Sequence, residues 1–122
     1  FANNSPSFCY STGVCQTFGI PELIISSLPQ NLSFEIINNY VEQFTGSSQI
    51  PLGERMEGIS NRFPITLIPV ENRNLSDYVL STIRYYGDQP YQYLQAIFPD
   101  VEGNFPEDPG YDYDQIIFGE YP

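Results

Sequence analysis

The stretch that most constrains the fold is residues 85–110, YYGDQPYQYLQAIFPDVEGNFPEDPG. It opens on two tyrosines that close an amphipathic pattern, followed by Gly87, where a helix ordinarily ends in a left-handed residue. Residues 91–98 then carry apolar or aromatic side chains on both alternating sets, which is typical of an inner strand covered on both faces. A turn at residues 100–103 and a proline-rich segment follow. This stretch predicts a helix end, an inner strand and a rigid turn in close succession.

The rest of the chain adds three strands and a further helix before that stretch. We predict strands over residues 8–12, 22–28 and 63–70, and helices over residues 32–44 and 75–86. Asn31 is the expected N-cap of the first helix, and Asn74 or Ser76 that of the second. Because the helices fall between strands of antiparallel type, we expect an α+β fold, a single mixed or antiparallel sheet with two helices packed on one face. With 122 residues and 41% hydrophobic content, the chain is expected to form one domain over residues 1–122.

Several short runs occur together in an order and spacing that one protein family shares. They are Phe8–Gly13, Phe18-Gly19 followed by Pro21–Leu23, Leu28-Pro29, Pro51–Gly53, Tyr86-Gly87 and the segment FPDVEGNFPEDPGYD. On these residues the chain resembles the bacterial family called domain of unknown function 4262 (DUF4262), from about Phe8 to Tyr113. Two positions depart from the family pattern, because Ile20 stands where members usually carry His and Phe98 where they often carry Trp. Members generally have a further segment upstream, so we expect this chain to lack an N-terminal segment. The resemblance implies the type of domain and no activity.

The charge of the chain favours some partners over others. Fifteen acidic residues face four arginines, with no lysine and no histidine, and the net charge is −11. Such a chain is repelled by nucleic acid phosphates and by anionic membranes, and it attracts basic proteins. The alternative interpretation is an acidic surface that serves only solubility. Two cysteines make no disulfide framework, so a cytoplasmic location is expected.

The residue types present exclude several kinds of chemistry. Without histidine there can be no Ser-His or Cys-His nucleophilic pair, and without lysine no Schiff base. Two cysteines and no histidine do not suit zinc, and no phosphate-binding loop is present. Asp100, Glu102 and Asn104 alternate loosely like the start of a calcium loop, but Gly103 stands fourth where that loop needs its glycine sixth. We therefore expect no cofactor and no metal, and we lean against an enzyme.

Two hypotheses of function remain. The leading one is a non-enzymatic protein-binding module of the immunity or regulatory type, which docks a basic protein. Its expected binding residues are Tyr91, Tyr93, Asp100, Glu102, Asp108 and Tyr111. The alternative is a small-ligand-binding protein or a carboxylate-based hydrolase with a pocket around Glu22 and Gln95. That pocket would be lined by Tyr10, Thr12, Glu22, Tyr86 and Gln95. A carboxylate that enters an inner strand needs a partner, and Arg84 is the expected cation for Glu22.

Overall fold

The computed structural model describes residues 8–47 and 49–119 of the chain. Its strands are β1 (Phe8–Tyr10), β2 (Glu22–Ser26), β3 (Arg55–Met56), β4 (Ile65–Val70) and β5 (Tyr93–Ile97). Its helices are α1 (Val14–Phe18), α2 (Gln30–Phe44) and α3 (Leu80–Tyr86), with a 3₁₀ turn at Asn72–Leu75. None of the helices in this part of the chain has the length and apolar content that crossing a bilayer requires.

The five strands form one mixed sheet in the order β1-β2-β5-β4-β3. The central pair, β2 and β5, is parallel, and the other three pairs are antiparallel. All five residues of β5 are buried, and so are all five of β2. The predicted α+β class, the mixed sheet and the inner position of β5 are therefore confirmed. The start of β2 lies beside the start of β5, where Glu22 is in register with Tyr93.

The two long helices cover opposite faces of the sheet. On one face, Leu23 and Leu94 pack in one core cluster with Ile36 and Tyr40 of α2. On the other face, Ile24 of β2 and Tyr93 of β5 form a second cluster with Leu75 and Val79, which precede α3. Ile83 of α3 packs against this cluster. The expectation that both helices pack on one face is corrected by this arrangement. Since every residue of β2 and β5 is buried, both faces of the central strands are covered.

Three local features differ from the sequence expectations. The short helix α1 was not expected, because it buries no residue and so carries no apolar period. Helix α2 begins two residues earlier than predicted, with Pro29 at the N-cap position and Asn31 inside the first turn. Helix α3 begins at Leu80 instead of residue 75, after a 3₁₀ turn. In that turn Asn74 makes no cap and donates its side-chain amide to the Phe118 carbonyl at 3.0 Å.

Candidate functional site

Glu22, at the first position of β2, is a fully buried carboxylate with an exposed fraction of 0%. Its Oε1 accepts a hydrogen bond from the Ser11 hydroxyl at 2.6 Å. Its Oε2 accepts bonds from the Cys15 backbone N–H at 3.0 Å and from the Tyr86 hydroxyl. Neutral donors from α1, from α3 and from the link between β1 and α1 therefore enclose the carboxylate, and we call Glu22 with these donors the Glu22 site.

The expected ion pair between Glu22 and Arg84 does not form. Arg84 lies exposed on α3, whereas Glu22 is surrounded by hydroxyl and amide donors. The reason is the short helix α1, whose first N–H groups have no partner within the helix. Its N-cap residue, Gly13, has no side chain that could accept them. Glu22 supplies the missing acceptor, and neutral donors take the place of the expected cation.

Tyr86 completes the same cap. Its hydroxyl accepts a hydrogen bond from the Gln16 backbone N–H at 3.2 Å while it donates to Glu22. Burial raises the pKa of the Tyr86 hydroxyl, and its bond to Glu22 adds to that rise. The phenol therefore stays protonated near neutral pH and acts as a donor that joins α3 to α1.

A second set of hydroxyl groups continues from the Glu22 site towards β5. Tyr93 donates to the Ser11 carbonyl at 2.7 Å, and its oxygen lies 2.8 Å from the Thr82 hydroxyl. The Thr82 hydroxyl also lies 2.7 Å from that of Thr12. Burial raises the pKa of Tyr93, against the opposing effect of its bond with Thr82. Sequence reasoning missed Thr82, because a polar residue within a helical pattern gives no sign that it is buried.

The structure brings together part of the pocket expected in the alternative hypothesis. Thr12, Glu22 and Tyr86 all belong to the Glu22 site or to the hydroxyl groups beside it. Tyr10 lies at its border, where its hydroxyl accepts the Ser81 N–H at 3.4 Å. Gln95 belongs to another network, because both atoms of its amide bond the main chain of Ile116 and Phe118. Glu22 and Gln95 therefore belong to separate hydrogen-bond networks.

An open groove lies beside the Glu22 site at one end of the sheet. It has a volume of about 1240 Å³ and is lined in part by Pro21, Val70, Asn72, Arg73 and Tyr91. The ring of Tyr91 stacks on that of Tyr86, with centroids 4.9 Å apart and planes at 21° to each other. Glu22 does not reach this groove, whose one lining carboxylate, Glu71, is paired with Arg73 at 2.7 Å.

The second candidate region is the loop of residues 99–112, which we call the acidic loop. The side chain of Asp100, only 7% exposed, accepts three backbone N–H bonds from within this loop. They come from Glu102 at 2.9 Å, Asn104 at 2.8 Å and Asp112 at 2.8 Å. Asp108 accepts the Phe105 N–H at 2.9 Å and binds Arg55 of β3. These two carboxylates hold the loop in shape from the inside.

The expected acidic and aromatic binding residues separate into two groups. Tyr91 and Tyr93 lie with the Glu22 site, where Tyr93 is 1% exposed. Asp100, Glu102, Asp108 and Tyr111 lie in the acidic loop. Of these four loop residues only Glu102 is exposed, next to Val101, which is 94% exposed. Across the described residues, no three His, Cys, Asp or Glu side chains gather closely enough to hold a metal ion.

The internal bonds of the acidic loop predict a specific sensitivity to acid. For Asp100, burial alone would raise the pKa, but the N–H bonds from Asn104, Asp112 and Glu102 outweigh it and the pKa is lowered. For Asp108, the Phe105 N–H and Arg55 lower the pKa. A carboxyl group with a lowered folded-state pKa contributes stability that is present above its unfolded pKa and lost as pH falls through the folded value. The wild type should therefore lose stability as pH falls below about 4, the usual range of aspartate.

Asp100→Asn tests this expectation. The variant should have a lower thermal midpoint at neutral pH, because an amide nitrogen cannot accept the Asp112 N–H. Its midpoint should also fall less steeply with acid than that of the wild type. The measurement is the thermal midpoint by far-UV circular dichroism across the acid range, with the exposed Asp88→Asn as the matched control. Parallel curves for the wild type and Asp100→Asn would contradict the role given to Asp100.

The comparisons with known proteins identify one family. The family described as Domain of unknown function (DUF4262) has a model that matches residues 2–112. No curated protein and no solved structure matches the chain significantly. The match contains both the Glu22 site and the acidic loop, whereas the last described residues, 113–119, lie beyond it.

Proposed function

The chain belongs to the DUF4262 family, whose description gives no activity, and from its geometry we propose that it is a non-enzymatic protein-binding module for a basic partner. The acidic loop is the proposed docking surface, and a regulatory or immunity role is the proposed setting. The observation that supports this most is the construction of the loop. Asp100 and Asp108 hold it from inside, and its tip presents Val101 and Glu102 to solvent.

A tip of this kind suits protein recognition. An apolar side chain that is 94% exposed, as Val101 is, gains from burial against a partner. Because the loop is fixed by hydrogen bonds before binding, little conformational entropy is lost when the partner docks. The loop therefore offers a preorganised contact with one apolar anchor and one carboxylate, Glu102, at its tip.

The charge around the tip favours a basic partner. The acidic loop contains five carboxylates and no basic residue; they are Asp100, Glu102, Glu107, Asp108 and Asp112. Arg55 of β3 reaches this loop and pairs with Glu107 and Asp108 at 3.0 and 2.9 Å. Even with this guanidinium the region keeps an excess of negative charge, which steers basic partners and repels phosphate-rich ones.

The Glu22 site supports a binding role over a catalytic one. A reacting carboxylate has to touch its substrate, but the oxygens of Glu22 are enclosed and already accept three hydrogen bonds. Buried phenols with a raised pKa are donors that hold the fold and are poor acids near neutral pH. We propose a structural role for this site. The free thiols of Cys9 and Cys15 support the proposed location in the bacterial cytoplasm.

The groove beside Tyr91 favours a second candidate function, the binding of a small polar ligand. Its size suits such a ligand, and its lining combines the Tyr91 ring with Asn72 and Arg73.

Amide NMR separates the two candidates. Titration with decalysine should shift the signals of the acidic loop in the leading proposal, and shifts confined to the groove would contradict it.

The proposal predicts that two carboxylates of the acidic loop matter more than two carboxylates elsewhere. One double variant, Glu102→Gln with Asp112→Asn, neutralises exposed groups of the loop. The matched double variant, Glu42→Gln with Asp77→Asn, neutralises exposed groups outside it. Both remove two negative charges, so net charge cannot explain a difference between them.

Fluorescein-labelled decalysine is the basic probe, and its affinity is measured by fluorescence anisotropy. We expect the loop variant to bind it about tenfold more weakly than the wild type, since two ion pairs contribute roughly 0.2–1 kcal/mol each. The matched variant should lose less than half of that free energy. Equal losses in the two variants would mean that only net charge matters, and the acidic loop would not be the docking surface.

A further inference from the structure

A short segment outside the family match lies across the face of the sheet that α3 covers. We call this segment, Tyr113–Gly119, the strap. Gln95 of β5 donates its side-chain amide to the Ile116 carbonyl and accepts the Phe118 N–H, both at 2.7 Å. Ser26 of β2 donates to the same Ile116 carbonyl at 2.6 Å. Side chains of the two central strands thus bind the strap by its main chain.

The polar side chains that hold the strap are themselves buried. Gln95 is 0% exposed and Ser26 is 1% exposed, and both lie on the central strands of the sheet. A buried amide is costly unless its donor and its acceptor both find partners. For Gln95, the strap main chain supplies both partners. The face is therefore built to hold a peptide and would be an unfavourable surface without one.

The strap side chains enter two apolar clusters. Ile117 packs against the cluster of Ile68, Ile97 and Phe105. Phe118 packs in the neighbouring cluster, with its ring centroid 4.9 Å from that of Tyr78. Main-chain bonds from Gln95 and Ser26 are independent of the bound sequence, whereas these two apolar positions select for side-chain type.

Gly119 adds a third requirement of sequence. A Cβ atom built on Gly119 would lie 2.5 Å from the Pro69 carbonyl oxygen and 3.1 Å from Ile68. Real Cβ atoms do not approach a carbonyl oxygen so closely, so only glycine allows the strap to lie this near to β4. The face therefore accepts the pattern apolar–aromatic–glycine at its three successive positions.

The sheet face that holds the strap and the strap itself differ in whether they lie within the family match. The residues that grip the strap, among them Ser26, Asn74 and Gln95, lie inside the family match. The strap itself lies outside the match, which ends at residue 112. In this chain, the part that matches the family therefore supplies the face, and the part beyond the match supplies the segment that covers it.

From these observations we propose that this face is a peptide-binding site for a short apolar–aromatic–glycine segment of a partner protein, and that the strap is its internal competitor. A partner segment of this type would take over the main-chain bonds to Gln95 and Ser26 as the strap leaves. The site adjoins the acidic loop at Phe105, but its recognition is apolar and main-chain based instead of electrostatic.

The test adds the strap sequence back as a separate peptide. The probe is a fluorescein-labelled peptide with the sequence of Tyr113–Gly119, YDQIIFG, titrated against the full chain and followed by anisotropy. In the wild type the attached strap competes, so the peptide should bind weakly. Gly119→Val in the chain forces its own strap away from Pro69, and peptide binding should strengthen by about tenfold or more. Adding Gln95→Leu to that variant should abolish the gain.

Two controls fix the interpretation. Ile117→Ala in the chain weakens the strap without a clash and should also strengthen peptide binding, so it replaces Gly119→Val if that variant does not fold. A probe peptide in which the final glycine is valine should not bind any variant. The proposal is overturned if neither strap-weakened variant gains affinity, or if the valine peptide binds equally well. It is also overturned if Ile117→Ala forms a strap-exchanged dimer by light scattering, because the occupant would then be a second copy.

Discussion

Replacing Glu22 with alanine should lower the free energy of unfolding by about 3 kcal/mol or more, because several buried donors lose their acceptor at once. The Cys15 N–H and the Tyr86 hydroxyl both donate to Oε2, and neither has another acceptor at that end of α1. The Ser11 hydroxyl donates to Oε1 and also accepts the Leu23 N–H at 2.9 Å, so it loses only one of its two bonds. We expect the contact between α1 and α3 to weaken as a result.

Two further substitutions make the prediction specific. Glu22→Gln keeps the shape and one acceptor oxygen, so it should cost about 1 kcal/mol, less than alanine. Glu42→Ala removes an exposed carboxylate of α2 and should stay within about 0.5 kcal/mol of the wild type. Urea unfolding followed by far-UV circular dichroism measures all three, and it suits a chain that contains no tryptophan. A Glu22→Ala variant as stable as Glu42→Ala would contradict the structural role of Glu22.

Gln95→Leu should be the next most damaging of the substitutions considered. Leucine keeps the volume but leaves the Phe118 N–H without its acceptor, at a cost of about 1–3 kcal/mol. The Ile116 carbonyl keeps its bond from Ser26, so the loss falls mainly on the end of the strap. The exposed Gln92→Leu removes the same kind of amide three residues away and is the matched control.

Hydrogen exchange resolves where the effect of Gln95→Leu lies. Backbone amides of the strap should exchange at least about tenfold faster in the variant, while those of β2 and β5 should change less. If the strap amides keep their protection although stability falls, Gln95 acts on the core alone. The strap would then be held by other contacts, such as the bonds between the Gln115 side chain and the Phe98 main chain.

The sequence predicts the parts of this fold that local physics controls. Gly87 does end α3, with its N–H bonded to the Ile83 carbonyl. Apolar residues on both alternating sets correctly indicate that β5 is an inner strand. The turn at residues 100–103 also forms, with the Gly103 N–H bonded to the Asp100 carbonyl. In each case the deciding interactions lie within a few residues.

The partners of the buried polar groups could not be predicted in the same way. Glu22 is bonded to Tyr86, 64 positions away, and no pattern in the sequence links these two residues. The short helix α1, which explains why Glu22 needs no cation, buries no side chain and leaves no apolar period. Gln95 was expected in a pocket with Glu22, but its hydrogen-bond partners are Ile116 and Phe118, in a segment that no sequence pattern links to β5. These contacts depend on topology and not on local preference.

The central claim is that this protein binds through its acidic loop and that Glu22 serves only the fold. Its most direct test is the affinity of the folded Glu22→Gln variant for labelled decalysine, next to that of the wild type, at ionic strengths of about 0.01 and 0.15 M. We predict equal affinities for the two proteins at low salt and an equal, strong weakening at the higher one. A wild type that does not bind at low salt, or a well-folded Glu22→Gln protein that no longer binds, would contradict the claim.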